Sequence, residues 1–272
     1  MEELCFWMAL TCNSQMRLSA STSKIQSRQP RTLYDWFNPE TIVLIPKVVN
    51  DNDNTLLVDS STPSQQLLQQ LTPRVRIPPS VDIGGLKIPI VQSSQILLQQ
   101  NKTEDGLCQR PAKVFNGSAK RFFKPTYSSE QANREISALV RIHQLGISEL
   151  RVPTLHEVVQ SEGDSHSISG MLLEYIEHHD TLRHIIDFQK DTTSLDVRAK
   201  RISQLRYILR ELHASGIVWG DAKPDNVLVG TDQNLWLVDF GGGFTQGWVD
   251  EDKMESFDGD LQALSRMVDL LL

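Results

Sequence analysis

Three cysteines in 272 residues, Cys5, Cys12 and Cys108, are too few and too unevenly placed for a disulfide framework or a zinc spacing. Their scarcity fits a reducing compartment. Nowhere does an apolar run approach the roughly 20 residues that a spanning helix needs. The opening Met1-Glu2-Glu3 lacks the basic start of a secretory signal, and the apolar stretch from Cys5 to Leu10 is too short for its core. A soluble intracellular protein, cytoplasmic or nuclear and without membrane contact, is the expectation. Positive charge is also in deficit: 27 Lys and Arg stand against 34 Asp and Glu, a formal net charge of -7. A broad nucleic-acid surface needs clustered cations. The basic runs here (Lys120, Arg121 and Lys124; Arg198, Lys200 and Arg201) are short and read as solvated faces. No nucleic-acid partner is expected.

What is present is enough apolar sequence, 39%, to bury a real core. Residues 1–32 read as a flexible leader, rich from 13 onward in Ser, Thr, Gln and Arg without periodicity. Residues 33–80 form an extension. In it Thr41-Ile-Val-Leu-Ile45 and Thr55-Leu-Leu-Val58 flank Asn50-Asp-Asn-Asp-Asn54, which predicts a hairpin, and a Ser-, Gln- and Pro-containing linker follows from 61 to 80. Residues 81–176 predict a small sheet with one helix. Strands fall at Ile96–Leu98, Ala112–Phe115, Lys120–Lys124, Leu155–Gln160 and Ile168–Ile176. The helix runs from Ser128 to Gln144: Ser128 and Gln131 have capping-box spacing, Ala132, Ile136, Leu139 and Val140 share a face, and Gly146 stops it. Residues 177–272 are more helical. Ile202, Leu205, Ile208, Leu209 and Leu212 recur at helical spacing before Gly216, and a last helix from near Asp258 carries Leu261, Leu264, Val268 and Leu271. The fold class is α+β.

The informative segment is Val218-Trp-Gly-Asp-Ala-Lys-Pro-Asp-Asn226, placed between an amphipathic helix and a short hairpin, Val227–Val229 and Leu235–Val238. The far strand ends in Leu237-Val-Asp-Phe-Gly-Gly242, so the hairpin brings Asn226 and Asp239 to the same end. Two oxygen donors on neighbouring loops suit Mg²⁺, whose other positions go to water and phosphate. Asp221 is placed to accept a proton from an attacking hydroxyl, and Lys223 to steady phosphoryl charge.

Asp221-Ala-Lys-Pro-Asp-Asn226 resembles the catalytic loop of protein kinases, and Asp239-Phe-Gly241 resembles their magnesium-binding motif. The resemblance covers roughly Ile90 to Leu272 and is nearest to short, divergent fungal kinase-like proteins, whose N-terminal extension the stretch around Trp36 also resembles. It implies a bilobal protein-kinase-like fold, with a small β-rich N-lobe bearing one helix and an abbreviated helical C-lobe. It further implies a strand lysine that holds the ATP α- and β-phosphates, paired with a glutamate on the next helix. Lys124 and Glu135 fill these roles, with Lys120 as competitor on the same strand face. Met171-Leu-Leu-Glu-Tyr-Ile176 resembles the hinge, where main-chain groups of Glu174 to Ile176 would meet adenine. Either Asp260 or Asp258 matches the aspartate that braces the catalytic loop from below.

The pattern also departs from the family. No Gly-x-Gly-x-x-Gly lies between Ile96 and Phe115, Trp219 and Gly220 replace the usual His and Arg, and no Ala-Pro-Glu follows Gly243. The missing arginine removes the usual receiving charge for loop phosphorylation. The leading reading is an ATP- and Mg²⁺-dependent phosphotransferase acting on Ser or Thr hydroxyls of a protein substrate. Asp221 and Lys223 are its catalytic residues, Lys124, Glu135, Glu174 and Ile176 bind ATP, and Asn226 and Asp239 bind the metal. One alternative, drawn from Gly220, is a small-molecule phosphotransferase of the aminoglycoside or choline type. Another is an inactive pseudokinase serving as a binding module. The apolar end, Leu270 to Leu272, is read as a partner contact or the mark of a shortened chain.

Overall fold

The computed structural model describes residues 31–37, 43–48, 56–61, 87–99, 111–147, 150–160, 168–189 and 192–272. The leader up to residue 30, the hairpin turn at 50–54, the linker from 62 and the turns at 101–106 and 161–164 lie outside them. The chain forms two compact units, one of residues 1–76 with 92–119, the other of 77–91 with 120–272.

In the first unit, the hairpin expected from the sequence pairs β1 (Val43–Val48) antiparallel with β2 (Leu56–Ser61). A short helix, α1 (Leu33–Phe37), precedes it. Thr32 and Asp35 make a reciprocal cap there: Asp35 Oδ2 accepts from Thr32 N at 2.9 Å, and Thr32 Oγ1 accepts from Asp35 N at 3.2 Å. Leu33 is fully buried, as are Ile96 of β4 (Ile96–Leu98) and Val114 of β5 (Lys113–Asn116), two strands that pair antiparallel.

The second unit holds the chemistry. Its sheet runs in the order β3 (Ile90–Gln92), β7 (Leu155–Gln160), β8 (Ile168–Glu174) and β6 (Ala119–Pro125). The register of β6 against β8 sets Lys124 opposite Met171. Between β6 and β7 lies α2 (Ser129–Leu145), with Ser128 Oγ accepting from Gln131 N at its start and Gly146 in a left-handed conformation at its end. Its buried face carries Ala132, Ile136 and Leu139, with Glu135 among them. That last residue is the anomaly, since a carboxyl in a core must have a partner.

After β8 the chain forms β9 (His178–Thr181) and α3 (Leu182–Gln189), two elements that no pattern singled out in the sequence marks. α4 (Leu195–Ala214) buries Ile202, Leu205, Ile208, Leu209 and Leu212. The hairpin β10 (Val227–Gly230) and β11 (Leu235–Leu237) joins β9 in a three-stranded sheet, β11-β10-β9. The last helix, α5 (Phe257–Leu271), starts one residue before Asp258 because Ser256 Oγ caps Gly259 N. These elements share one core that includes Met171, Leu205, Trp219, Leu237, Phe240 and Met267. Each large apolar side chain buried there contributes about 1.5–3 kcal/mol. Among the described residues no helix is long and apolar enough to cross a membrane.

Candidate active site

The loop after α4 enters the site through two residues that the core fixes. Trp219 is almost fully buried, and its indole Nε1 donates to the Val238 carbonyl at 2.9 Å, tying the loop to the end of the β10–β11 hairpin. Gly220 has φ +88, and a Cβ there would lie 3.4 Å from the Gly242 Cα. The left-handed backbone favours glycine over any side chain, and the approach itself is ordinary van der Waals contact. This local backbone requirement accounts for Gly220 in the place of the usual arginine.

From below, Asp260 settles the choice between the two candidate aspartates. Its carboxylate accepts from Trp219 N at 2.8 Å and Gly220 N at 2.9 Å, and it meets His213 Nε2 at 2.9 Å. Burial holds its pKa above the ordinary aspartate value, and the donors from Gly220, His213 and Trp219 pull the other way. Asp258, by contrast, is exposed in the first turn of α5.

Asp221 and Asn226 are both buried. Asn226 Nδ2 donates to Asp221 O and to Asp221 Oδ2, each at 2.9 Å, which fixes the amide and leaves its oxygen Oδ1 as an acceptor. Lys223 Nζ lies 2.6 Å from the same Oδ2. The other carboxylate oxygen of Asp221, Oδ1, accepts from Thr245 Oγ1 at 3.2 Å, and Lys223 Nζ also donates to Thr245 at 2.9 Å. The sequence reading missed Thr245, which sits beyond a glycine run with no local pattern to mark it. Across the hairpin, Val238 N donates to Asn226 O at 3.0 Å, so Asp239 starts one residue from a fixed point.

Asp239 has φ 66, an uncommon conformation for a residue with a side chain. It turns one oxygen, Oδ1, to Lys124 Nζ at 2.8 Å. Lys124 Nζ also lies 2.5 Å from Glu135 Oε2, which resolves the anomaly on α2. Burial opposes charge on the Lys124 amine, but the carboxylates of Glu135 and Asp239 outweigh it and hold the pKa above the ordinary lysine value. Burial pushes the Glu135 carboxyl up, and Lys124 offsets part of that rise. The competitor, Lys120, is engaged elsewhere: it pairs with Glu177 and lies 4.8 Å from the Tyr175 ring centroid. One cation on β6 therefore joins the helix carboxylate to the Asp-Phe-Gly turn, and it is Lys124.

The stretch Glu174–Ile176 is more engaged than the sequence suggests. Glu174 N donates to Thr154 O at 2.8 Å, and Ile176 O meets His178 Nδ1 at 2.9 Å. Glu174 Oε2 accepts from Thr154 N at 3.3 Å, so its side chain braces the neighbouring segment.

The model of the protein kinase domain matches residues 113–262, more than half of the chain. The chain belongs to the protein kinase domain family. The match spans the strand of Lys124, both loops of the site and the first turns of α5, including Asp260. Among curated proteins, this kinase domain is similar to the serine/threonine-protein kinase cds1 of Schizosaccharomyces pombe, 28% identical over 116 residues, 42% of this chain and 22% of that protein. It is also similar to the serine/threonine-protein kinase VHS1 of Saccharomyces cerevisiae, 29% identical over 116 residues, 43% of this chain and 23% of that protein. The matched stretch spans less than a quarter of either relative's length.

Among the described residues no group of three or more His, Cys, Asp or Glu side chains is arranged to hold a metal by itself. The kinase-domain site instead offers two oxygens, Asn226 Oδ1 and the second carboxylate oxygen of Asp239, whose side chain is 38% exposed. Such a sparse donor set fits Mg²⁺, which retains waters and takes phosphate oxygens, better than an ion needing a full protein cage.

Proposed function

We propose that this chain is an ATP- and Mg²⁺-dependent phosphotransferase acting on Ser or Thr hydroxyls of protein. The observation that carries the reading is Lys124 Nζ, 2.5 Å from Glu135 and 2.8 Å from Asp239, beside an aspartate that Asn226 and Lys223 fix. In this reading Lys124 grips the α- and β-phosphates, and Glu135 keeps its amine in place. Asn226 Oδ1 and Asp239 would hold Mg²⁺, which would supply positive charge to offset that of the phosphates. Asp221 Oδ2 is already taken by Asn226 and Lys223, so Oδ1, facing Thr245, is the oxygen that orients the acceptor hydroxyl and takes its proton. Lys223 offsets charge on the transferred phosphoryl group. Adenine would meet those main-chain groups of Glu174–Ile176 that Thr154 and His178 leave over. Residues 81–176 and 177–272 would form the two lobes, with 1–32 as leader and 33–80 as extension.

Both relatives are serine/threonine-protein kinases, which supports a Ser/Thr acceptor. The glycine that suggested a small-molecule enzyme has its own backbone reason, and the full polar set argues against a mere binding module. Thermal unfolding with ATP, with and without Mg²⁺, tests the site. At a hundredfold excess over Kd, a ligand of the folded state alone contributes about 2.7 kcal/mol, a shift of several degrees. The wild type should show a Mg²⁺-dependent rise that Asp239→Asn loses. No rise in either protein sinks the nucleotide reading. Transfer of label from γ-labelled ATP to a protein mixture, and not to a pool of small alcohols and amines, then fixes the acceptor class.

A further inference from the structure

We propose that Glu255 is a positioning residue, a latch that holds α2 in the orientation that turns Glu135 toward Lys124. Its effect on nucleotide binding rests on the function proposed above, but the hold on α2 does not. Arg134 Nη1 pairs with Glu255 Oε2 at 2.5 Å. Arg134 immediately precedes Glu135, and successive helix positions point about 100° apart. The helix therefore presents Glu135 inward to Lys124 and Arg134 outward to the segment that follows Asp239-Phe-Gly241.

A partly exposed ion pair is worth about 0–1 kcal/mol, so the contact alone would carry little weight. Two further observations raise it. Glu255 has φ 54, in the left-handed region. That conformation costs a residue with a side chain about 1–2 kcal/mol, and glycine or asparagine would occupy it at lower cost. A glutamate there is a backbone liability unless its carboxylate is needed. Gly242 supplies the second observation. A Cβ on it would run into Arg134 Nη1 and lie 2.5 Å from Glu255 Oε1, so this glycine opens the space in which the pair forms. Its φ of +77 reinforces the requirement.

The latch is also mechanically connected. Glu255 adjoins Ser256, the cap of α5, and α5 carries Asp260, which holds Trp219 and Gly220. At the other end of α2, Arg141 Nη1 donates to the Gly216 carbonyl at 3.3 Å. The helix is thus held at Arg134 and near its end at Arg141, and the Glu255 pin is the one that adjoins Glu135. An unmodified carboxylate supplies this hold, so the Lys124–Glu135 pair forms without a phosphorylated residue in the segment.

Hydrogen exchange across α2 in the unliganded full chain, together with the ATP·Mg²⁺ thermal shift, tests the latch. Glu255→Asn keeps a residue that tolerates left-handed φ while removing charge and reach, and Glu255→Gln keeps the length. Both should speed exchange in the first half of α2 by up to about fivefold, through more frequent local opening, and lose most of the ATP·Mg²⁺ shift. The double variant Arg134→Glu/Glu255→Arg should restore both. Wild-type-like exchange and an undiminished ATP·Mg²⁺ shift in both single variants overturn the latch and leave the nucleotide reading intact. Faster exchange, repaired by the charge swap, with no ATP response even in the wild type, upholds the hold on α2 and sinks the nucleotide reading instead.

Discussion

Glu135 is a carboxyl inside an apolar face, and its stability depends on a single amine. Breaking a buried pair by removing one partner leaves the other without compensation. Lys124→Met should therefore destabilise the protein by about 3 kcal/mol near neutral pH. The sign of the pH dependence follows from the raised carboxyl. A group whose folded pKa exceeds its unfolded value contributes stability below the unfolded value and loses it as pH rises through the folded one. With Lys124 gone, the main offset to burial disappears and only the Phe240 backbone hydrogen bond still opposes it, so the Glu135 carboxyl rises further and the loss extends to higher pH. Urea unfolding at several pH values above 4.5 should show Lys124→Met falling more steeply than wild type. The double variant Lys124→Met/Glu135→Gln should flatten the profile and recover most of the loss. Equal slopes in single variant and wild type would mean Glu135 does not depend on Lys124. Lys120→Met, which removes a partly exposed pair with Glu177 and the cation's contact with the Tyr175 ring, serves as control and should cost about 1 kcal/mol.

At the scale of elements, the catalytic loop is held by a helix it does not belong to. Asp260 on α5 accepts two backbone N–H groups, from Trp219 and Gly220. Asparagine has one carbonyl oxygen to offer two donors, so Asp260→Asn leaves a buried group poorly paired, at a cost of about 1–3 kcal/mol. Because the loop lies just ahead of Asp221, the variant should lose phosphotransfer activity in greater proportion than ATP·Mg²⁺ binding, which a thermal-shift titration and a turnover assay separate. Loss of stability with turnover per folded molecule unchanged would reduce Asp260 to a scaffold residue. Which elements the sequence discloses follows from how their side chains are used. α2, α4 and α5 are legible because each buries one stripe and has its own stop or start residue. β9 is not: His178-His-Asp-Thr181 pairs with β10 but buries no side chain fully, so no alternation marks it. α3 buries only Leu182, Ile185 and Ile186, too short a run to stand out. Asp221, Asn226 and Asp239 are legible because they crowd two short loops joined by a hairpin. Arg134 with Glu255, and Thr245 with Asp221, meet only through the fold.

Across the molecule, charge sets the expectation for polyanion binding. The net charge is -7, so any attraction for a polyanion must come from a local cluster of unpaired cations. Many of the described cations are committed to carboxylates: Arg121 to Glu157, Arg151 to Asp232, Arg183 to Asp187, Arg266 to Asp250, with Lys120, Lys124, Arg134 and Lys223 in the pairs already described, whereas Arg198, Lys200, Arg201 and Arg206 on α4 pair with no described carboxylate. A phosphate backbone would have to displace these partners one by one. ATP differs, because a single triphosphate with its cation needs one preorganised lysine and two oxygen donors rather than a track of charges. Fluorescence anisotropy with a labelled single-stranded DNA or RNA at about 50 mM and about 200 mM salt should show no binding at micromolar protein at either concentration. Polyanion binding carried by even six phosphate contacts would weaken about a thousandfold between those two salts. Such a salt slope would reveal a cationic track that the ion-pair pattern does not contain. ATP·Mg²⁺ binding, resting on buried and partly buried groups that screening reaches poorly, should change far less over the same range.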